Sequence, residues 1–354
     1  MQYSGKRRET KSFTIGDVGI GSAYPVSIQS MTNTDTRDAQ ATLVQIRQLA
    51  DAGCQMVRVA VPDEEAANAL KQICAKSPVP VIADIHFNHR LALMAMDNGI
   101  SSLRINPGNI GSEEKVREVV SQAKAMQVPI RIGVNAGSLE KELLAKYQHP
   151  TAEAMVESAM RHVRILEDLN FDQIKISLKA SDVPLMLDAY RLMAEKVEYP
   201  LHLGVTEAGN AKHGIVKSAI GIGTLLAEGI GDTIRVSLTG NPLQEIPVAK
   251  QILRSLDLYP KGVEIISCPT CGRTQIALEQ LVDAVDQMVS KVDKPLKLAV
   301  MGCVVNGPGE AREADLGIAG GKGEGLIFRK GEIIKKVPEA QLLAAFQEEL
   351  DKLL

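Results

Sequence analysis

The chain has 354 residues, of which 45% are hydrophobic and 23% charged, with a formal net charge of −3. That balance is ordinary for a globular protein and excludes a coat of basic charge for nucleic acid, while the absence of Trp and the 3% of aromatic residues argue against base-stacking platforms. No apolar run approaches the length of a membrane span, residues 1–12 lack the apolar stretch of a secretory signal, and five scattered cysteines do not form a disulfide framework, so a reducing cytosol is expected.

Along the chain, short β-branched apolar runs alternate with helix-like stretches. The runs fall at residues 26–31, 55–61, 81–84, 102–105, 130–134, 172–177, 201–204 and 233–237. After the first, "DTRDAQATLVQIRQLADAG" places Leu43, Ile46 and Ala50 on one helix face, with Gly53 as a stop. After the fourth, "SEEKVREVVSQAKAM" has Ser112 at its N-cap, acids in its first turn, and a stripe of Val116, Val119, Val120, Ala123 and Met126. Eight strand–helix units predict an α/β fold with an N-terminal (β/α)8 TIM-type barrel, a doubly wound sheet being the rival. The dinucleotide fingerprint is missing after the first strand, and "GIGTLLAEGIG" reads as helix packing and turns.

Past the eighth run, "NPLQEIPVAKQILRSLDL" reads as one more helix. The barrel is then assigned to 1–257, a linker or hinge to 258–262, and a small α/β domain to 263–354. In that domain a strand is expected at 264–267, a helix at 275–292, a strand at 297–301, short strands between 316 and 337, and a final helix from Glu339.

The strand ends carry an unusual polar set. Arg58, then Asp84 and His86, Arg104 and Asn106, Arg131 and Asn135, Lys175, Ser177 and Lys179, His202 and Glu207, and Arg235 and Ser237 follow strands two to eight. Barrel chemistry sits at the C-terminal strand ends. A buried Arg costs several kcal/mol unless paired, and the cations here outnumber acids such as Asp84 and Glu207. A rim of guanidinium forks and ammonium groups therefore predicts a substrate with more than one phosphate. His86 and His202 are either satisfied core residues or donors to that substrate. Glu207 is either a general acid or a neutralising partner for an Arg.

"SCPTCGRT" places Cys268 and Cys271 three apart, and "MGCVVNGPGE" adds Cys303. Structural zinc wants a fourth ligand, and a thioredoxin-like pair leaves Cys303 unexplained. An iron–sulfur cluster accommodates a C-x-x-C pair with a remote Cys. Glu310, seven residues after Cys303 across a Gly-Pro-Gly bend, is placed to supply a weaker, displaceable fourth ligand. Cys54 and Cys74, in barrel segments, read as small buried hydrophobes.

The stretches "QSMTNTDT", "IADIHF", "LRINPGNIG", "RIGVNAGSLEK", "KASDV", "TEAG", "GIGDTIRVSLT", "CPTCGR" and "GCVVNGPGEA" run in order from residue 29 to 311. Together they resemble the bacterial 4-hydroxy-3-methylbut-2-enyl diphosphate synthase family in its short two-domain form. The resemblance implies a [4Fe-4S] cluster on Cys268, Cys271, Cys303 and Glu310. It implies 2-C-methyl-D-erythritol 2,4-cyclodiphosphate as substrate, opened and dehydroxylated with two electrons on the methylerythritol phosphate route to isoprenoids. Arg58, Arg104, Arg131, Lys179, Arg235 and Ser237 would grip the diphosphate, with Asn106 and His202 in the same binding set. Asp84, His86, Asn135 and Glu207 would stand near the carbon skeleton, with Asn306 approaching from the cluster domain and Glu207 as proton donor. Flavodoxin or ferredoxin would deliver electrons, and the family's homodimer would place one chain's cluster domain over the other's barrel. The rival readings are a non-redox barrel enzyme with structural zinc and an iron–sulfur redox sensor or carrier.

Overall fold

A computed structural model describes residues 6–106, 109–259, 262–290, 292–303 and 311–354. They divide into two compact units, Met1–Tyr259 and Pro260–Leu354. Positions 260 and 261 of the expected linker lie outside the described residues. No helix among the described residues is long and apolar enough to cross a membrane.

The first unit opens with a hairpin, β1 (Phe13–Ile15) and β2 (Val18–Ile20), that the sequence reading did not include. Two strands of three residues are too short to show periodicity. The barrel strands are β3 (Ser27–Met31), β4 (Met56–Ala60), β5 (Val81–Asp84), β6 (Ser102–Ile105), β7 (Ile130–Asn135), β8 (Ile174–Lys179), β9 (His202–Leu203) and β10 (Thr233–Ile234). They form one parallel sheet in the order β8-β7-β6-β5-β4-β3-β10-β9, and a bridge between Ile176 and Leu201 closes the ring. The expected (β/α)8 barrel is the observed fold.

The helices around it are α1 (Ala39–Asp51), α2 (Glu64–Lys76), α3 (His89–Asp97), α4 (Glu113–Ala125), α5 (Lys141–Tyr147), α6 (Ala152–Asp168), α7 (Val183–Lys196), α8 (Ala211–Ala227) and α9 (Glu245–Arg254). In α6, Thr151 accepts the N–H of Ala154 at 3.1 Å as N-cap, and Met155, Ala159, Val163 and Leu166 are buried. Each fully buried large side chain of this kind contributes about 1.5–3 kcal/mol. Gly53 follows α1 at φ 99°, as expected. Two details of α4 differ from expectation. Ser112 is the N-cap residue but makes no side-chain cap bond, and Met126 is exposed beyond the stripe of Val116, Val119, Val120 and Ala123.

Three strand limits also shift. The sixth barrel strand begins two residues late and runs on to Lys179, because its ladder with β7 continues to the Asn135–Lys179 pair. The seventh and eighth shrink to two residues each, so Arg235 and Ser237 lie beyond the end of β10.

The alternation along these strands sets the character of the barrel. Ile174, Ile176 and Leu178 of β8, and Ile130, Ile132 and Val134 of β7, join the apolar layer beneath the helices. The opposite face of the same strands carries Arg131, Lys175, Ser177 and Lys179, all buried. Period-two alternation therefore sends the polar set into the barrel and the apolar set outward. The N-terminal end of the interior is apolar. There Met56 and Ile82 pack with Ile15 and Ile20 of the hairpin, which stoppers that end.

The second unit is a five-stranded sheet in the order β11 (Val263–Ser267), β12 (Leu296–Met301), β13 (Leu316–Gly320), β14 (Glu324–Arg329) and β15 (Glu332–Pro338). Helices α10 (Leu278–Val289) and α11 (Leu342–Asp351) join Leu298, Val300, Ile318 and Ile327 in one apolar cluster. Ala299, Met301, Ala319 and Phe328 form another with Ala311 and Ala314. Helix α10 is shorter than the expected 275–292, and the final helix starts with a single turn at Glu339–Gln341.

Candidate functional site

Among the described residues, six cations on the barrel strands and their ends meet three buried carboxylates. The cations are Arg58, Arg104, Arg131, Lys175, Lys179 and Arg235, and the carboxylates are Asp84, Glu245 and, just ahead of β10, Asp232. Asp84 Oδ1 lies 3.2 Å from Arg104 Nη1, and Oδ2 lies 3.6 Å from Arg58 Nε. Burial pushes Asp84 up, but the guanidinium groups of Arg58, Arg104 and Arg131 outweigh it and hold the carboxyl at about 2. Asp84 is thus an ionised clamp between two arginines. His86 adds a ring nitrogen 3.1 Å from Arg104 Nη1, while its side chain remains half open to solvent. Burial lowers its basicity, Asp84 opposes that, and Arg104 adds to it.

Burial pushes Arg58 down to about 10, with Asp84 opposing and Arg235 and Arg104 reinforcing the shift. Met31 braces two of these cations. Arg58 Nε and Nη2 lie 3.2 and 3.0 Å from its sulfur, and Arg235 Nη1 lies at 3.6 Å. Burial also drives Lys179 down, with Arg131, Arg235, Arg58 and Arg104 adding repulsion. Such a set is high in energy without an anion and suits phosphate oxygens.

Two glycines, Gly133 in β7 and Gly204 just after β9, make the space. A Cβ at Gly133 would stand 2.5 Å from Arg104 Nε, and one at Gly204 would stand 2.8 Å from Lys179 Nζ. The carbonyl of Gly133 accepts from Arg104 Nη2 at 3.1 Å. Side chains at these positions would occupy the volume that the cations fill.

The other residues singled out from the sequence sit as follows. His202 is fully buried, within electrostatic reach of Arg131, Lys179, Lys175 and Arg58, and burial pushes its ring toward the neutral form first of all. Asn106 is buried with its Oδ1 lacking a partner among the described residues. Asn135 ends β7 as the register partner of Lys179, and Ser237 is half-buried beyond β10. Glu207 is exposed at a left-handed φ of 51° and forms no ion pair among the described residues. That backbone conformation is uncommon for a residue other than Gly and marks a specially shaped loop.

Glu245, at the start of α9, is a buried carboxylate beside Arg235, whereas Glu207 is exposed. Ser30 Oγ donates to it at 2.9 Å, the Leu238 N–H donates at 3.1 Å, and Arg235 Nε lies 3.9 Å away. Burial raises it, against Arg235 and these donors. Sequence reasoning missed Glu245 because an acid in the first turn of α9 reads as an ordinary partner of the helix dipole.

In the second unit, Cys268 follows β11 and Cys303 follows β12, two adjacent parallel strands whose last register pair is Ser267–Val300. The Gly302 N–H donates to Cys268 Sγ at 3.1 Å, and the Gly302 carbonyl accepts the Gln275 N–H at 3.0 Å. Thr274 Oγ1 accepts the Cys271 N–H at 3.2 Å. Cys303 is buried, Cys268 half-buried and Cys271 exposed. A thiol receiving a backbone N–H on a braced turn suits a thiolate ligand of iron, and the set is soft. Among the described residues no group of three or more His, Cys, Asp or Glu side chains stands ready to hold a metal ion. Asn306 and Glu310 lie outside the described residues. Burial first of all pushes the Cys54 and Cys74 thiols up to about 12, which leaves them inert.

A family model described as the GcpE TIM-barrel domain matches residues 10–250, and one described as the GcpE protein C-terminal domain matches residues 264–352. A protein of Geobacter sulfurreducens named 4-hydroxy-3-methylbut-2-en-1-yl diphosphate synthase (flavodoxin) is 61% identical over 348 residues, 98% of this chain and 99% of its own. One of the same name from Clostridium perfringens is 60% identical over 98% of this chain and 99% of its own. Among solved structures, 3-dehydroquinate dehydratase from Geobacillus kaustophilus superposes with a TM-score of 0.52 at 14% identity, over 72% of this chain and 99% of that one. That likeness shows the barrel fold alone.

Proposed function

The chain belongs to the GcpE family, and from that premise we propose that it catalyses the reductive ring opening and dehydroxylation of 2-C-methyl-D-erythritol 2,4-cyclodiphosphate to 4-hydroxy-3-methylbut-2-enyl diphosphate. The observation that carries this reading is the barrel interior, where Arg58, Arg104, Arg131, Lys179 and Arg235 converge against too few carboxylates to neutralise them. A diphosphate supplies the missing negative charge. The relatives' names specify flavodoxin, and we assign flavodoxin or ferredoxin as electron donor in a reducing cytosol.

Arg58 and Arg104, held in register by Asp84, bind the diphosphate oxygens on one side. Lys179, Arg131 and Arg235 bind them on the other, with Ser237, Asn106 and His202 as further polar contacts. These groups stabilise the departing phosphate oxygen as the ring opens. Asn135 and His86 orient the carbon skeleton, Asn306 approaches it from the cluster domain, and Glu207 holds the proton that goes to the leaving hydroxyl. Cys268, Cys271, Cys303 and Glu310 would hold a [4Fe-4S] cluster, which when bound supplies the two electrons singly. A homodimer in which one chain's cluster domain caps its partner's barrel would bring both halves of the chemistry together.

The test is anaerobic iron, zinc and sulfide analysis with turnover of the cyclodiphosphate by reduced flavodoxin, on wild type and on Glu310→Ala. About four irons and four sulfides per chain are expected, with a cluster that assembles in the variant but turns over poorly. One zinc without sulfide in anaerobically prepared protein would replace this reading with a non-redox barrel enzyme holding a structural metal.

A further inference from the structure

Below the rim cations lies a second polar tier, whose Lys175 and Gln29 the phosphate grip does not use. Lys175 is 1% exposed, His202 0% and Gln29 1%. The Lys175 ammonium nitrogen, both His202 ring nitrogens and both ends of the Gln29 amide lack hydrogen-bond partners among the described residues. A buried ammonium without a partner is costly, and native structures do not keep such groups without a reason.

The groups facing Lys175 are few. From β7 comes Arg131, its register partner, and from β9 comes His202. Lys179 lies on its own strand. Asp232, ahead of β10, is its one acidic neighbour, and that carboxylate is already engaged. Asp232 Oδ1 takes Arg7 Nη2 at 2.7 Å and Thr10 Oγ1 at 3.2 Å, and Oδ2 takes the Leu201 N–H at 2.8 Å. Lys175 thus stands among cations and beside a His that burial pushes toward its neutral form, and its one acidic neighbour among the described residues is already engaged.

We propose that Lys175 is the charge reserve of the anion site, a buried amine that takes on a proton as negative charge accumulates at the barrel mouth. This rests on the diphosphate reading above. In that reaction one carbon–oxygen bond to phosphate breaks, two electrons arrive from the reduced donor, and one proton leaves with the hydroxyl as water. The cyclic diester becomes a diphosphate monoester, so the bound anion gains one negative charge. That charge appears over the buried, low-dielectric interior of the barrel, where an added proton on the tier below compensates it. Lys175 is therefore a positioning residue of the electrostatic kind, with no contact to the reacting atoms.

The direction of the effect is fixed by burial. In the free protein burial, and then Arg131, lower the proton affinity of Lys175, against Asp232. A bound anion raises it again, so between those two states binding takes up protons from solution. The probe is inorganic diphosphate, bound to anaerobically prepared full-length protein near pH 8, with calorimetric heats compared in buffers of different ionisation enthalpy. Wild type should take up roughly one proton more than Lys175→Met. The variant should melt no lower than wild type, since it replaces an unpartnered amine by a methionine of similar volume. Lys175→Gln serves the same comparison if the Met variant does not fold. Equal proton uptake by wild type and variant, with diphosphate still bound, overturns the charge reserve and leaves the phosphate grip standing. Failure of wild type to bind diphosphate at all overturns the grip and the reserve together.

Discussion

Strands β8 and β12 are both buried and parallel, yet they spend their side chains differently. β8 sends Ile174, Ile176 and Leu178 to the helix side and Lys175, Ser177 and Lys179 to the barrel interior. β12 gives Leu298 and Val300 to one apolar layer and Ala299 and Met301 to the other. The C-terminal sheet is stabilised by apolar packing on both faces. The barrel is stabilised by its outer layer and by the apolar plug at its N-terminal end, while the rest of its interior carries cations that outnumber the carboxylates paired with them. Stability and ligand affinity should therefore be separable in the C-terminal unit and opposed in the barrel.

The largest expected effect tests the first half of that contrast. Phe346→Ala, in the fully buried cluster beneath α11, should destabilise the C-terminal unit by about 4 kcal/mol in denaturant unfolding. It should leave diphosphate affinity of the barrel unchanged. Arg131→Met tests the other half. Diphosphate affinity by calorimetry should fall roughly 100-fold, while the melting temperature stays level or rises, because a buried guanidinium is replaced by an apolar side chain. Loss of both stability and affinity would mean that the interior cations are structural.

Asp84 gives the contrast a pH signature. Its folded value near 2 lies below its ordinary 3.8, so its contribution is present above about pH 4 and is lost as pH falls through about 2. That difference corresponds to about 2 kcal/mol, and Asp84→Asn should flatten acid unfolding over this window alone. The smallest effect is expected at Glu245. Glu245→Gln keeps the bond from Leu238 N–H but weakens the hold on Arg235, so diphosphate affinity should fall by roughly fivefold, or about 1 kcal/mol. An unchanged affinity would make Glu245 a simple brace for the loop after β10.

The barrel was legible because its outer residues repeat with period two between helices whose stripes repeat with period 3.6. The rim cations were legible for the same reason, since Arg58, Arg104 and Arg131 stand where an apolar residue would be expected. Their depth was not legible. "KISLK" gives the same alternation for a half-exposed strand as for one lining a charged interior, and only ring closure at Ile176–Leu201 decides between them. The environments of Glu207 and Glu245 were not legible, because sequence distance from a strand does not say which way a loop turns. The left-handed backbone at Glu207 and the Ser30 hydroxyl waiting for Glu245 are tertiary facts. The cysteine motif was legible from spacing, and its Gly302 brace was not, because that bond joins two strands that pair only in the folded sheet.

The hairpin of β1 and β2 has a consequence for traffic. With Ile15 and Ile20 seated on Met56 and Ile82, the barrel is a vessel with one door. Whatever enters at the C-terminal strand ends leaves by the same route, so product must depart before the next substrate arrives. Any body that rests over that door sets the pace of exchange for both, and a reaction that binds its product more tightly than its substrate would be governed by how often the door stands open.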